Sequence, residues 1–478
     1  ALEEMPAPVL AFCKSGTRAA TLWTRSEAGK RPEADLLART HAAGYDMTAT
    51  VAKSAAQTTK ALAAPDVRAD IVIVGAGSAG IAVAASLLAR DKTLDITIID
   101  PSEVHYYQPG WTMVGGGIFD AKDTKRQTGP LIPDGVTWLK AAVADFTPDA
   151  DAVILGDGRV VGYTRLIVCP GLELHWDGIA GLSETLGRNG VTSNYRYDLA
   201  PYTWKLVQQT KGGRALFTQP PMPIKCAGAP QKAMYLSCDA WHRAGVLKDI
   251  DVQFMNAGGV LFGVKDYVPA LMRYVEKYDA HLNFFHTLTA IDGAAKTATF
   301  KVTKPDTAPT EVTVDFDMIH VCPPQRAPGF IRNSPLADAA GWVDVDQATL
   351  RHKTYQNIWS LGDVMNAPNA KTMAAARKQA PVVADNIMAD IHGKSAAAVY
   401  DGYGSCPLTV ERGKIVLAEF GYGGKIIPTF PTWMLQGKKP TRRAWTLKKD
   451  ILPSVYWDAM LKGREWLAGP EDLEKTRA

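Results

Sequence analysis

A chain of 478 residues, 46% apolar and 21% charged, is suited to a soluble-type globular protein of two to four domains with sizeable cores. Its 53 Lys and Arg against 49 Asp and Glu leave a net charge of only +4, which argues against nucleic acid as the main partner. Six cysteines at irregular spacing (13, 169, 226, 238, 322, 406) exclude a paired C-x-x-C zinc pattern and a compact disulfide framework. They favour a reducing compartment, and no residue is assigned to a metal. No basic region followed by an apolar core is found at the start of the sequence, so no signal segment is expected there.

In chain order, Pro8 to Cys13 reads as a strand, Cys13-Lys14-Ser15-Gly16-Thr17-Arg18 as a loop and Ala19 to Ala28 as a helix. This places C-x4-R at a helix N-terminus, where backbone N–H groups can cradle an oxyanion or a persulfide and lower the thiol pKa. A phosphatase would need C-x5-R. The loop is similar to the six-residue active loop of rhodaneses, and residues 1–65 are read as a partial rhodanese- or phosphatase-like segment with its linker.

The apolar strand Asp70 to Val74 then feeds Gly75-Ala76-Gly77-Ser78-Ala79-Gly80 and an alanine-rich helix to about Ala89. This is a dinucleotide fingerprint. The first glycine permits the turn, the second lets a pyrophosphate approach the backbone, and the third allows close helix packing. A second strand, Asp95 to Ile99, ends in Asp100 at the spacing that suits an adenosine ribose. The uncharged run Ile71 to Ala89 is long enough for a membrane span, but its glycine and serine cluster suits a buried strand and turn better.

A similar order follows downstream without the glycines. Arg214 to Thr218 is a strand and Gln231 to Ala244 a helix, and between them stands Lys225-Cys226-Ala227-Gly228-Ala229-Pro230-Gln231, preceded by Pro220, Pro221 and Pro223. A thiol occupies the place of a phosphate cradle, so the chain is expected to bind FAD and not NAD(P)H. Cys226, beside Lys225 and just before a helix, has the setting of a reactive thiolate; the alternative is a buried packing cysteine. Asn357 to Leu361 is a short strand ending in Gly362-Asp363, where flavoproteins of this architecture commonly place an aspartate for the ribitol chain. From Trp433 to Trp466, aromatic residues alternate with eight Lys and Arg residues. That segment reads either as an amphipathic membrane-interface element or as a packed helix pair with a solvated basic face.

The expected fold is α/β, with two Rossmann-like dinucleotide-binding domains and an amphipathic C-terminal region. The boundaries are 66–175 for the first part of the FAD domain, 176–300 for the domain carrying Cys226, 301–395 for the second FAD part and 396–478 for a quinone- and membrane-facing region.

Several long motifs together resemble the sulfide:quinone oxidoreductase family of the mitochondrial type, over about residues 68 to 468. They are Gly75 to Gly80, Asp100 to Gly115, Lys225 to Lys232, Ala339 to Asp346, Tyr400 to Tyr403 and Ser405-Cys406-Pro407-Leu408. The resemblance implies FAD held by Gly75, Gly77, Gly80, Asp100, Gln108, Gly362 and Asp363. It implies sulfide oxidation to sulfane sulfur on Cys226, electron transfer to a membrane quinone, and a small thiol or sulfite as the sulfur acceptor. It places the protein peripherally on the cytoplasmic face of a bacterial membrane, or on the mitochondrial inner membrane in a eukaryote. It also leads to the expectation of a second redox cysteine directly after Gly362-Asp363, where this chain has Val364 and Met365. Cys322 is the preferred substitute and Cys169 the other; Cys238 and Cys406 are assigned to packing. Lys371 is expected to stabilise reduced flavin unless it is a surface lysine, and His105 either donates protons or is structural. The alternative function is a persulfide-binding or sulfur-relay flavoprotein without turnover.

Overall fold

The computed structural model describes residues 20, 24, 33–51, 64–368 and 371–472, so the Cys13 loop lies outside the described residues. Strand β1 (Val67–Val74) is buried on both faces from Ile71 to Val74, which is why it reads as a continuous apolar run and not as an alternation. It leads into helix α1 (Ser78–Arg90) and pairs in parallel with β2 (Ile96–Ile99) and β3 (Val160–Val168). Strand 136–139 extends this sheet beyond β2, and strands 152–155 and 143–147 extend it antiparallel beyond β3. Ile358–Ser360 also joins β3 in parallel, so the first domain is assembled from two separated stretches of chain.

The second sheet is wholly parallel. Its order is Val191–Thr192, Met318–His320, β4 (Gly213–Gln219), β5 (Ile250–Asn256) and His281–Phe284, with helix α2 (Ala229–Arg243) crossing from β4 to β5. Because Met318–His320 pairs with β4, this domain continues past the expected boundary at residue 300 and includes the antiparallel strands 286–292, 297–302 and 310–315. The two crossings between the domains meet in a short antiparallel pairing, Glu173–Leu174 with Gln325–Arg326.

Helix α3 (Met373–Ile391) is capped by Thr372, whose hydroxyl accepts from Ala375 N, and packs on α1. The antiparallel hairpin of β6 (Gly404–Glu411) and β7 (Lys414–Phe420) packs against α2. A helical run from Arg442 to Lys462, much of it π-helical, returns to the first domain. There Tyr456, Trp457 and Leu461 enter the main apolar core. No helix among the described residues is long and apolar enough to cross a membrane.

Candidate active site: a sulfur pair beside a dinucleotide cavity

One cavity runs along the first domain's glycine loop to the hairpin, and its wall includes Gly77, Ser78, Gln108, Cys226, Gly362 and Asp363. The three glycines differ in what excludes a side chain. At Gly75, φ is +107° and a Cβ would stand 2.6 Å from Cys169 O; at Gly80 a Cβ would stand 1.8 Å from Gly75 O. Gly77 instead has nothing within 4 Å of that position, so the loop is open there, on the cavity wall, at the N-terminus of α1. Asp100 Oδ2 accepts from Ala76 N at 2.7 Å and its Oδ1 accepts from Ser102 N at 2.7 Å, which fixes the carboxylate against the loop.

At the other end of the cavity Gly362 has φ +80° and its N–H is held by Gln379 Oε1 at 2.8 Å. Burial raises the Asp363 pKa, against the opposing pull of Lys225 and Lys371. Thr112 Oγ1 and both polar atoms of Asn194 are buried in the same wall without a protein partner among the described residues. An anion-binding helix terminus, an acid on each nucleotide element and orphaned polar groups between them fit a bound FAD. Gln108 is tied down by Lys225, whose Nζ donates to its Oε1.

Lys371 is not a surface lysine. It is 5% exposed, its Nζ donates to Asp363 O at 2.7 Å and Met365 O at 2.8 Å, and burial lowers its pKa to about 8. Its own carbonyl accepts from Cys226 N at 2.9 Å, so the second flavin element and the cysteine loop are directly linked.

Cys226 adopts φ +52°, a left-handed conformation that a non-glycine residue takes only under local constraint. Its sulfur lies 3.4 Å from Cys406 Sγ, and Lys232 Nζ donates to it at 3.1 Å. The Cys406 hydrogen bond and then the Lys232 charge hold Cys226 well below the ordinary thiol pKa, despite burial, while Cys406 is pushed well up as the proton-bearing partner. Lys448, on the C-terminal run, donates to Pro109 O at 2.9 Å; burial, then the nearby Lys232 charge, lower its pKa to about 7.

The other cysteines stand apart from this pair. Cys322 shares an apolar cluster with Cys226, Tyr195 and Ala229, but no hydrogen bond joins the two sulfurs among the described residues, and burial pushes its thiol up to about 12. Cys169 sits under the glycine loop, 3.7 Å from Gly75 O, and Cys238 is wholly buried in α2. The geometry therefore sets Cys406, assigned to packing from sequence, where Cys322 or Cys169 was expected. Val364 and Met365 are both buried in the first domain's core. His105 is buried and its pKa falls to about 4, so it is neutral at physiological pH; its Nε2 lies 2.5 Å from Tyr456 OH, which lies 2.7 Å from Ser78 Oγ.

Residues 69–203 match the family model described as pyridine nucleotide-disulphide oxidoreductase. The chain is 43% identical to the mitochondrial sulfide:quinone oxidoreductase of Dictyostelium discoideum, over 82% of this chain and 86% of that one. It is 36% identical to the mouse (Mus musculus) mitochondrial protein of that name, over 85% and 89%. Its fold is similar to the sulfide:quinone oxidoreductase structure from the bacterium Aquifex aeolicus, with a TM-score of 0.67 at 19% identity, covering 83% of this chain and 92% of that one. With the motifs, the cavity and relatives of that similarity all in agreement, the chain belongs to the sulfide:quinone oxidoreductase family.

Proposed function

We propose that this protein oxidises sulfide to sulfane sulfur in an FAD-dependent reaction and passes the electrons to a membrane quinone. The observation that carries the reading is the Cys226–Cys406 sulfur contact of 3.4 Å, with Lys232 beside it, where Cys226 and Lys232 line the dinucleotide cavity. When bound, FAD supplies a two-electron acceptor. Gly75, Gly77, Gly80, Asp100, Gln108, Gly362 and Asp363 would hold it, and Lys371 would keep positive charge near it.

The sulfur chemistry starts from the oxidised pair. Hydrosulfide attacks one sulfur of the Cys226–Cys406 disulfide; a persulfide forms there and the other cysteine leaves as thiolate. Cys226 lines the cavity, so hydrosulfide attacks it there, sulfane sulfur is carried by Cys226 as the family resemblance implied, and Cys406 leaves as the thiolate. A small thiol or sulfite then takes the outer sulfur from the persulfide and leaves a second thiolate. Re-forming the disulfide from the two thiolates releases two electrons, which closes the cycle.

The exposed Trp433, Ile451, Trp466 and Leu467, 82%, 42%, 53% and 43% exposed, lie among the Lys and Arg of the C-terminal segment. This arrangement supports a peripheral seat on a membrane surface, which is where a lipid-soluble quinone is found. The reading without turnover rested on a missing second cysteine, and Cys406 fills that place.

Anaerobic sulfide added to the flavin-loaded protein tests the proposal. Sulfide bleaches the flavin and a soluble quinone restores it; Cys226→Ser and Cys406→Ser each abolish bleaching and Cys322→Ser retains it. Bleaching that survives Cys406→Ser and is lost with Cys322→Ser would return the role to Cys322.

A further inference from the structure

The hairpin that carries Cys406 also carries a buried acid that the sulfur chemistry does not use. Glu419 on β7 stands opposite Ser405 on β6, and its carboxylate is 4% exposed. Tyr403 OH donates to Glu419 Oε1 at 2.7 Å, and Thr429 N donates to the same oxygen at 3.2 Å. Tyr403 OH also lies 2.9 Å from Thr429 Oγ1 and, with its own proton directed at Glu419, accepts from the Thr429 hydroxyl. These protein hydrogen bonds converge on Oε1, and Glu419 itself lines the cavity.

That cavity changes character at this end. Around Glu419 its wall is Leu417, Phe430, Leu447, Leu452 and Val455, with the exposed Trp466 and Leu467 beyond. An apolar, partly aromatic chamber with a single carboxylate in its wall suits a ring that is apolar overall and polar at its carbonyl oxygens. Arg377 Nε is buried in the same wall without a protein partner among the described residues.

A second cavity of about 310 Å³ lies on the other side of Tyr403 and Thr429, which line both spaces. Its remaining wall sets Lys378 and Asp401 among apolar residues such as Val382, Val399 and Ile427, so it is a mixed space with charged groups of its own. Tyr403 and Thr429 thus put hydroxyl groups on the wall shared by the two cavities. Short hydrogen bonds from Thr429 to Tyr403 to Glu419 cross it.

We infer that Glu419 donates the protons that turn quinone into quinol, and that Thr429 and Tyr403 resupply it from the second cavity. The inference rests on the quinone reading above. Quinone gains two electrons from the reduced flavin and two protons. In each passage the Glu419 O–H bond breaks as a quinone O–H bond forms, the Tyr403 proton moves to Glu419, the Thr429 proton moves to Tyr403, and solvent in the second cavity re-protonates Thr429. Two passages supply both protons.

The test uses the flavin-loaded protein, with the flavin reduced by light instead of sulfide, so that the quinone half is followed even if sulfide fails to bleach. Flavin reoxidation by a short-chain soluble quinone is timed in Glu419→Gln, Tyr403→Phe and Thr429→Val, with Glu419→Asp as the conservative control. Loss of a positioned acid costs about a hundredfold or more, so Glu419→Gln is slowed by that factor and Glu419→Asp recovers much of it. Tyr403→Phe and Thr429→Val retain the first proton but lose part of the solvent isotope effect that accompanies resupply. Reoxidation by a one-electron acceptor that takes no proton is unchanged in all four. Independently of turnover, the infrared difference spectrum on adding quinone to the oxidised protein contains a carboxyl band that vanishes in Glu419→Gln. A Glu419→Gln protein that is reoxidised by quinone at the unaltered rate overturns the relay. Absence of sulfide bleaching in the unaltered protein overturns the reaction reading instead.

Discussion

Lys232 and Lys448 face the same two sulfurs with opposite outcomes. Against its burial, Lys232 is raised by the facing Cys226 and Cys406 and stays charged; Lys448, screened from water and repelled by Lys232, is lowered to about 7. The Cys226 pKa is depressed, so the stabilisation from its thiolate form is present above the ordinary thiol value and is lost as pH falls through the lowered one. Replacing Lys232 by Met removes an ion contact of 3.1 Å. The thiolate absorbance of the reduced protein then titrates at higher pH. An unshifted titration would show that the Cys406 hydrogen bond alone sets the value. At this scale the sequence showed Cys226 clearly, because the loop replaces a glycine motif of known geometry. It hid Lys232, although that residue closes the Lys225–Lys232 motif, because five residues of loop and helix turn separate it from the thiol it faces. Cys406 stood within Ser405-Cys406-Pro407-Leu408, one of the segments that carried the family resemblance, yet a single cysteine in a strand does not announce a partner 180 positions away.

At the scale of elements, the approach of the hairpin to α2 depends on Gly228, the N-cap of that helix. A Cβ there would stand 2.4 Å from Cys406 Sγ and 2.5 Å from Leu408 Cδ2, so those buried side chains would have to shift. Gly228→Ala is expected to cost about 1–3 kcal/mol in stability. It also holds the two sulfurs apart, so that thiol counting after mild oxidation finds Cys226 and Cys406 still free; a disulfide forming as readily as before would mean that the hairpin has slack. The β1–α1–β2 unit was legible because strand, glycines, helix and acid are contiguous. Docking of β6 and β7 on α2 was not, since it joins segments far apart in sequence. The boundary near residue 300 fell short for the same reason: the return of Met318–His320 to β4 is decided by parallel pairing across the domain and not by local pattern.

Over the whole molecule, the C-terminal segment divides between residues packed in the core and residues left exposed. Tyr456, Trp457 and Leu461 turn into the first domain's core, whereas Trp433 and Trp466 stay exposed. Truncating this region to release the protein from lipid would therefore remove part of the core as well. Replacing Trp433 and Trp466 by Ser separates the two effects. Each indole buried in an interface is worth roughly 1.5–3 kcal/mol, so losing both weakens binding to vesicles of mixed neutral and anionic phospholipid by about a hundredfold or more while flavin content is unchanged. Vesicle binding equal to that of the unaltered protein would place the membrane contact elsewhere. The alternation of aromatic and basic residues was visible in the sequence; which side each would face was not, because π-helical turns shift the angular spacing away from that of a regular helix.

Tyr456 adds a consequence for the order of assembly. Its hydroxyl closes over Ser78 and His105 from a position 378 residues after the first of them. A ribosome makes the glycine loop well before its cover, so a chain still under synthesis lacks the Tyr456 hydroxyl over that loop. The cover over the loop is complete only when the run from Arg442 to Lys462 folds back, so the glycine loop and the segment proposed to meet lipid would be completed together.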